Sequence, residues 1–273
     1  MIRSRREPAR VAVATIALLA IWLVVPSQVV AQAVQGRTTP SGTSGGMAAI
    51  DAAARSGKYL FIFFWNANDE QSRSMYGVLR SAMGKMAQSA DAVGIQITDP
   101  REKPVVDKFG VSRAPMPLVL ALAPNGAITK GFPVKFDEDQ LRQAFVTPCT
   151  AQCLKALQDR RLVLLCVQNQ RTQFSQAAMS GVQGFKADPR FAKATQIVAL
   201  DPDDRSEAAF LQDLKVDPRT PTAVTFVLAP PGTPIAKFAG PVTKDQIVAK
   251  VTAAQSGPCA GGQCGPGGCA PKK

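Results

Sequence analysis

An internal repeat constrains the fold of this chain more than any other feature. When the 273-residue sequence is shifted by 106 positions, the stretch 113–141 aligns without a gap on 219–247. Identical residues recur along it: Arg113 on Arg219, Pro115 on Pro221, Gly126 on Gly232 and Phe132 on Phe238. Solenoid repeats are about 20–50 residues long, so this longer period predicts a duplicated domain.

The first repeat predicts alternating helices and strands. Its most distinctive segment is the apolar run 59–65, which is typical of a strand that is buried on both faces. Asn68 is a candidate N-cap for the following helix. The negative charges of Asp69 and Glu70 in the first turn interact favourably with the helix dipole. We predict helices at 47–56, 68–87, 103–109 and 137–145, and strands at 59–65, 92–98, 118–122 and 127–131.

The second repeat predicts the same order of elements. Helices are expected at 151–159, within 172–179, at 206–214 and at 244–253, and strands at 162–167, 196–200, 223–228 and 235–239. The order αβαβαββα in both halves predicts an α/β chain with two domains, at 47–147 and 148–255.

This order resembles the thioredoxin superfamily twice over. The local segments that carry the resemblance are Phe63-Phe64-Trp65 before the second helix, and Phe109-Gly110-Val111 with Pro115 before the third strand. The resemblance covers about residues 47–253. It implies two tandem thioredoxin-like domains, each a central mixed sheet flanked by helices, after an N-terminal signal segment.

The resemblance also shows that the redox motif of that family is missing. In the family, the segment that matches Phe63-Phe64-Trp65 leads into the cysteine pair Cys-x-x-Cys. The segment that matches Phe109-Gly110-Val111 leads to a cis-proline that faces this pair. Here the two cysteine positions fall on Asp69 and Ser72, and the motif of the second repeat falls near 170–173, again without cysteine. Asp69 acts either as a catalytic acid or base at that position, or only as a carboxylate whose charge is favourable at a helix start.

The cis-proline positions are assigned to Pro115 and Pro221 by the resemblance and by the internal repeat. Pro117 is a competing candidate in the first repeat, because its spacing to Asn125-Gly126 also suits the family. Such a proline either exposes backbone for an extended peptide or only shapes the domain. The candidate peptide-binding residues are therefore Asp69, Ser72, Pro115 and Pro221.

Two cysteines stand one helical turn apart at the junction of the repeats. Cys149 and Cys153 follow Pro148 near a helix start, where thiolates are favoured. They are candidates for a disulfide, and the alternatives are two free thiols or a redox or metal pair. Cys166, in an apolar strand, is expected to be a core residue.

The segment 256–273 contains the other cysteines. Cys259, Cys264 and Cys269 stand at five-residue steps among glycines, and the composition predicts a disordered tail. Their thiols are candidate ligands for a soft ion such as Cu(I). No resident cofactor is expected.

The absence of histidine excludes several classes of chemistry. Without it, Ser–His and Cys–His catalysis and His-ligated zinc sites are impossible. The net charge of +12 is spread along the chain without a run of lysine and arginine. We therefore predict no nucleic-acid partner.

The N-terminus has the layout of a secretory signal peptide. Four arginines within the first ten residues precede the apolar run 11–25, Pro26 and an Ala-x-Ala pattern that ends at Ala33. We predict a signal peptide at 1–33 and a flexible linker at 34–46, and hence a periplasmic or extracellular protein. The alternative is an uncleaved anchor, the one case in which a membrane is a partner.

Together these features favour a binding protein over an enzyme. The main hypothesis is an exported, redox-silent tandem thioredoxin-fold protein whose partner is another protein or peptide. The rival hypothesis is thiol–disulfide exchange or soft-metal binding through Cys149, Cys153 and the tail.

Export predicts a shortened mature chain. Protein isolated from its native host should begin near Val34, because the basic, apolar and Ala-x-Ala segments occur in the order that signal peptidase requires. Intact-mass analysis measures this directly. Full-length chain that starts at Met1 in the cytosol would contradict the prediction.

Overall fold

The computed structural model describes residues 44–255. The predicted signal segment 1–33, most of the linker 34–46 and the tail 256–273, with Cys259, Cys264 and Cys269, lie outside the described residues. Within 44–255, no helix is long and apolar enough to cross a membrane.

The first domain is a four-stranded mixed sheet with helices on both faces. The central strand β1 runs parallel to β2 and antiparallel to β3, so the strand order is β2-β1-β3-β4. The elements in chain order are α1 (Gly45–Ser56), β1 (Tyr59–Trp65), α2 (Glu70–Met86), β2 (Ala90–Gln96), α3 (Lys103–Phe109), β3 (Leu118–Leu122), β4 (Ile128–Pro133) and α4 (Glu138–Arg142).

The second domain repeats this architecture. Its sheet has the order β6-β5-β7-β8, with β5 parallel to β6 and antiparallel to β7. The elements are α5 (Pro148–Gln158), β5 (Leu162–Val167), α6 (Ser175–Ala187), β6 (Thr195–Leu200), α7 (Ala208–Asp213), β7 (Val224–Ala229), β8 (Thr233–Ala239) and α8 (Lys244–Gln255). The predicted duplication and the predicted α/β fold class are confirmed.

Each sheet is buried on both faces, as the apolar run of its central strand predicts. Successive side chains of a strand point to opposite faces. Ile62 and Phe64 therefore pack in the cluster that includes Ile50 of α1, whereas Phe61 and Phe63 pack in the cluster that includes Leu79 of α2. The second domain has the same pair of clusters around β5.

A glutamate carboxylate binds the start of the first helix in each domain: Glu102, which is half-buried, in the first and Glu207, which is buried, in the second. Glu102 accepts a hydrogen bond from the Gly46 N–H at 3.1 Å, and Glu207 accepts one from the Cys149 N–H at 2.8 Å. Both glutamates belong to short 3-10 turns before α3 and α7. The free N–H groups and the dipole of a helix start favour an anion, so both positions suit a carboxylate.

Helix α5 also joins the two domains. Asn125 Nδ2, in the β3–β4 turn, donates to the Ala151 carbonyl at 2.8 Å. The side-chain amide of Gln158 accepts from the Ile128 N–H at 2.9 Å and donates to the Ile128 carbonyl at 2.7 Å. Gln158 thus pairs with the backbone of β4 as a neighbouring strand would, and so α5 is bonded to both domains.

Gly181 provides a test of the second domain. A Cβ atom at Gly181 of α6 would lie 1.9 Å from the Val242 carbonyl oxygen, which is backbone and cannot rotate away. We expect Gly181→Ala to destabilise the fold by about 1–3 kcal/mol or more. Gly184→Ala in the same helix is the matched control, because its Cβ would meet only Lys244 at 3.7 Å.

The control should be neutral or should gain up to about 1 kcal/mol from helix propensity. Thermal unfolding of both variants measures the difference. Equal midpoints for the two variants would show that α6 does not approach the Val242 backbone as the structure has it.

Candidate functional site

The start of α2 presents a charged carboxylate where the resemblance places the first cysteine. Asp69 is the N-cap of α2, so the expectation that Asn68 caps it is wrong. Asp69 is exposed, and its Oδ1 accepts the Ser72 N–H at 2.7 Å. This hydrogen bond lowers the pKa of the Asp69 carboxyl below its ordinary value. Ser72, at the second cysteine position, is buried.

The structure corrects the position of the cis-proline. Among the described residues, the cis peptide bonds are Met116–Pro117 and Pro230–Pro231, so Pro115 and Pro221 follow trans bonds. The family position directly precedes the third strand, and β3 begins at Leu118. Pro117, the competing candidate, therefore holds that place, and Pro115 lies two residues upstream.

In the second domain, the residue directly before the third strand is Ala223, because β7 begins at Val224. No proline stands at that position. The cis bond before Pro231 lies in the turn between β7 and β8, at a different place in the domain.

Three loops meet at this end of the first domain. Gln71 Nε2 of α2 donates to the Val134 carbonyl at 3.1 Å, and the Val134 N–H donates to the Pro117 carbonyl at 2.7 Å. Val134 thus connects the start of α2, which holds Asp69, to the loop that holds Pro115. Pro115 is exposed and Met116 is half-buried.

Val134 is a residue that the sequence analysis missed. Its φ is 64°, in the left-handed region, and it is 39% exposed. The shift of 106 positions matches it to Gly240, whose φ is 84° and whose N–H donates to Ala223 at 2.8 Å. A branched residue in this conformation costs roughly 1–2 kcal/mol, and such strain clusters at functional sites. The mismatch of valine with glycine in the repeat was the signal.

The motif position of the second domain also needs correction. Phe64 pairs with Leu118 in the first sheet, and Val167 pairs with Val224 in the second. Leu118 and Val224 are partners in the repeat, so the residues that they pair with, Phe64 and Val167, also correspond. Five to eight residues after each of these lie positions 69–72 and 172–175. The predicted placement near 170–173 is therefore wrong. Thr172 and Ser175 occupy the two cysteine places, with their hydroxyl oxygens 2.6 Å apart.

The loop of the second domain is closed on itself. The Gln173 N–H donates to the Pro221 carbonyl at 2.8 Å, and the Ala223 N–H donates to the Gln173 carbonyl at 3.0 Å. Pro221, a predicted peptide-binding residue, therefore already has a backbone partner from its own domain.

The corresponding loop of the first domain is open. Pro117 has no N–H, so the second of these bonds cannot form there. Within residues 44–255, no hydrogen bond reaches the Pro115 carbonyl. The structure thus brings Asp69, Ser72 and Pro115 to one end of the first domain, and Pro221 to the matching end of the second.

Cys149, Cys153 and Cys166 are free, buried thiols. The structure therefore does not show the predicted disulfide between Cys149 and Cys153. Burial raises the pKa of both thiols to about 12, and the neighbouring Glu207 adds to the shift. The expectation that the helix start favours their thiolates is wrong, because these side chains point into the core and Glu207 already occupies the helix start.

Metal binding finds no support in the described part of the chain. Among residues 44–255, no group of three or more cysteine, aspartate or glutamate side chains is arranged to hold a metal ion. The predicted ligands in the tail lie outside these residues.

Comparisons with solved structures return proteins with a thioredoxin fold. Thioredoxin O2 from Arabidopsis thaliana is 16% identical, with a TM-score of 0.31 over 37% of this chain and 84% of its own. The germline-specific thioredoxin Deadhead from Drosophila melanogaster is 18% identical, with a TM-score of 0.30 over 37% and 90%. A disulphide isomerase from Xylella fastidiosa is 16% identical, with a TM-score of 0.29 over 36% and 80%.

Both domains have a thioredoxin-like fold. The element order and the mixed sheet, with its parallel and antiparallel neighbours of the central strand, are those that the resemblance implies. No family model matches the chain, and no curated protein matches it.

The thiols of the thioredoxin-like domains should resist alkylation. With pKa values of about 12 for Cys149 and Cys153 and about 11 for Cys166, the three are protonated at about pH 8 and shielded from reagent. We expect iodoacetamide to modify them slowly in the native protein and quickly in guanidinium chloride, as peptide mass mapping would show. Rapid native modification of Cys149 or Cys153 would contradict the buried placement.

Proposed function

We propose that this chain is an exported protein that binds an extended segment of another protein through its first thioredoxin-like domain, without thiol chemistry. The observation that carries the proposal is the difference between the two loops. Where the second domain pairs Gln173 with the backbone around Thr222, the first domain has Pro117 and leaves the Pro115 carbonyl free.

The closed loop of the second domain indicates how a peptide would fit. There, the backbone of Gln173 lies beside the strand entry and exchanges hydrogen bonds with it, which is the pairing that an extended ligand makes. In the first domain, the N–H of an incoming peptide would take the place of the Gln173 N–H and donate to Pro115. Asp69 and the exposed side chain of Val134 would border that peptide.

Val134 supports a binding role because its conformation is unfavourable for a merely structural residue. Gly240 makes the same backbone hydrogen bond in the second domain without a side chain. The fold therefore requires the left-handed backbone but not the valine. An exposed apolar group held at this point, with its backbone bonded to Pro117 in the loop that also holds Pro115, suits contact with the side chain of a ligand.

The rival function, thiol exchange, receives less support from the described residues. The two cysteine positions of the redox motif hold Asp69 and Ser72 in the first domain, and Thr172 and Ser175 in the second. Cys149 and Cys153 are buried with raised pKa values, so they are poor nucleophiles. An exchange activity would have to rest on the tail cysteines.

Binding of an unfolded protein tests the proposal. The probe is fluorescein-labelled α-lactalbumin that has been reduced and carboxymethylated, and is therefore extended and free of thiols. We expect the full-length chain to bind it in an anisotropy titration. Val134→Gly should weaken binding at least about fivefold, close to 1 kcal/mol, and raise the thermal midpoint because it relieves the left-handed valine.

Met116→Lys places a charge beside Pro115, and because Met116 packs partly against the core, the thermal midpoint of this variant is measured together with its affinity. Gln170→Lys, in an exposed loop of the second domain, is the control for an added surface charge. Of these two lysine variants, we expect Met116→Lys to reduce affinity and Gln170→Lys to leave it unchanged. Unchanged affinity in both Val134→Gly and Met116→Lys would refute the proposed site. Dithiothreitol-driven reduction of insulin that is lost after alkylation of the cysteines would favour the rival.

A further inference from the structure

The two domains carry equivalent grooves of different chemistry beside the helix that follows the central strand. In the first domain, a cavity of about 290 Å³ is lined by Phe63, Trp65, Ser72, Arg73, Tyr76 and Gly94. A second cavity of about 330 Å³ shares Tyr76 and continues between α2 and β2, past Arg80 to Ala90 and Ala92. We call this continuous surface the aromatic groove.

The same place in the second domain is lined by polar side chains and one methionine. The strand register matches Trp65 with Gln168 at an offset of 103 positions. The buried faces of α2 and α6 keep this offset, since Met75 and Leu79 correspond to Ala178 and Val182. The offset therefore matches Arg73 with Gln176, Tyr76 with Met179 and Arg80 with Gln183. Gln168 and these three residues of the second domain line its corresponding cavity. Since both domains have the same fold, the fold itself does not require the aromatic and arginine side chains.

Tyr76 has the most exposed aromatic ring of the groove. Its side chain is 43% exposed, although one side of the ring contacts Phe63 at 5.4 Å between centroids. The residues of β2 on this side are small: Ala90, Ala92 and Gly94. They leave the ring of Tyr76 uncovered, so an apolar side chain of a ligand has room beside it.

Strand β2, which borders the aromatic groove, is an edge of the sheet among the described residues. It contains neither proline nor lysine, the residues that commonly protect an edge. The opposite edge, β4, contains Lys130 and Pro133 and is paired with Gln158. The open edge of β2 thus offers backbone groups to an added strand.

The charge beside the groove is positive. Arg80 of α2 has no ion pair within the described residues, and Arg73 donates to the Asn68 carbonyl and lies near Asp69. The carboxylate of Asp91, on β2, is paired with Lys58 at 3.3 Å. Arg80 is therefore free to attract an acidic group.

We propose that the aromatic groove and the edge of β2 bind an acidic, extended segment of a partner protein. The segment adds to β2 as a strand, places an apolar side chain against Tyr76 and places a carboxylate near Arg80. This surface is a second one, on the β2 side of α2, and it does not use the Pro115–Pro117 loop of the proposed function.

Selection of peptides tests this inference. Random peptides displayed on phage are selected on the immobilised full-length chain, and the enriched sequences are synthesised and titrated by anisotropy. We expect apolar residues flanked by acidic ones. Tyr76→Ala and Arg80→Glu should each weaken binding at least about tenfold. Met179→Ala and Gln183→Glu, the repeat partners, are the matched controls and should leave affinity unchanged.

A change in the peptide alone separates strand addition from docking of side chains. Methylation of alternate backbone nitrogens removes the donors that pair with an edge strand, so it should abolish binding without any risk to the fold. Equal affinity of the methylated peptide would overturn strand addition.

The two proposals fail separately. Peptides that lose affinity in Val134→Gly but not in Tyr76→Ala would leave the proposed function standing and would overturn the groove. A selection that yields no peptide dependent on Tyr76 would also overturn it. Loss of affinity in Tyr76→Ala with Val134→Gly unchanged would support the groove whatever the outcome for the loop.

Discussion

The pairing of the central strand on both of its edges is the constraint on which the rest of each domain depends. β1 is hydrogen-bonded to β2 and β3, and large side chains such as Phe61 and Phe64 are fully buried. Burial of each such side chain contributes about 1.5–3 kcal/mol, so a shift of register would be costly. With Phe64 fixed opposite Leu118, the chain must leave the sheet at Trp65 and start α2 beside the entry to β3. The candidate site therefore follows from strand pairing.

The duplication shows which features the fold needs and which it does not. Both domains keep the register of the central strand and the glutamate that binds the start of the first helix. They differ where the loops meet: Pro117 matches Ala223, and Val134 matches Gly240. The first difference removes a backbone donor, and the second adds an exposed apolar group with an unfavourable backbone conformation. Both changes support the binding role proposed for the first domain, whereas the loop of the second domain is paired with its own backbone.

The sequence predicted what depends on local pattern and missed what depends on pairing across the domain. Unbroken apolar runs gave the bounds of β1, β3 and β5 correctly, since buried strands need no context. The cis-proline was misplaced because the repeat matches Pro115 with Pro221. The second motif was placed two residues too early because its position depends on where each strand meets its neighbour. The thiol pKa values were predicted in the wrong direction because burial in a tertiary core outweighs the helix start.

The position of α5 explains why its cysteines are structural. One face, with Cys149 and Cys153, packs in the core of the second domain. The other face, with Ala151, contacts Ala123 and Ala127 of the first domain, and Gln158 is bonded to β4. A helix held on two faces needs small apolar side chains, which buried cysteine provides. To react, either thiol would have to leave the core of the second domain, and this burial argues against thiol chemistry at α5.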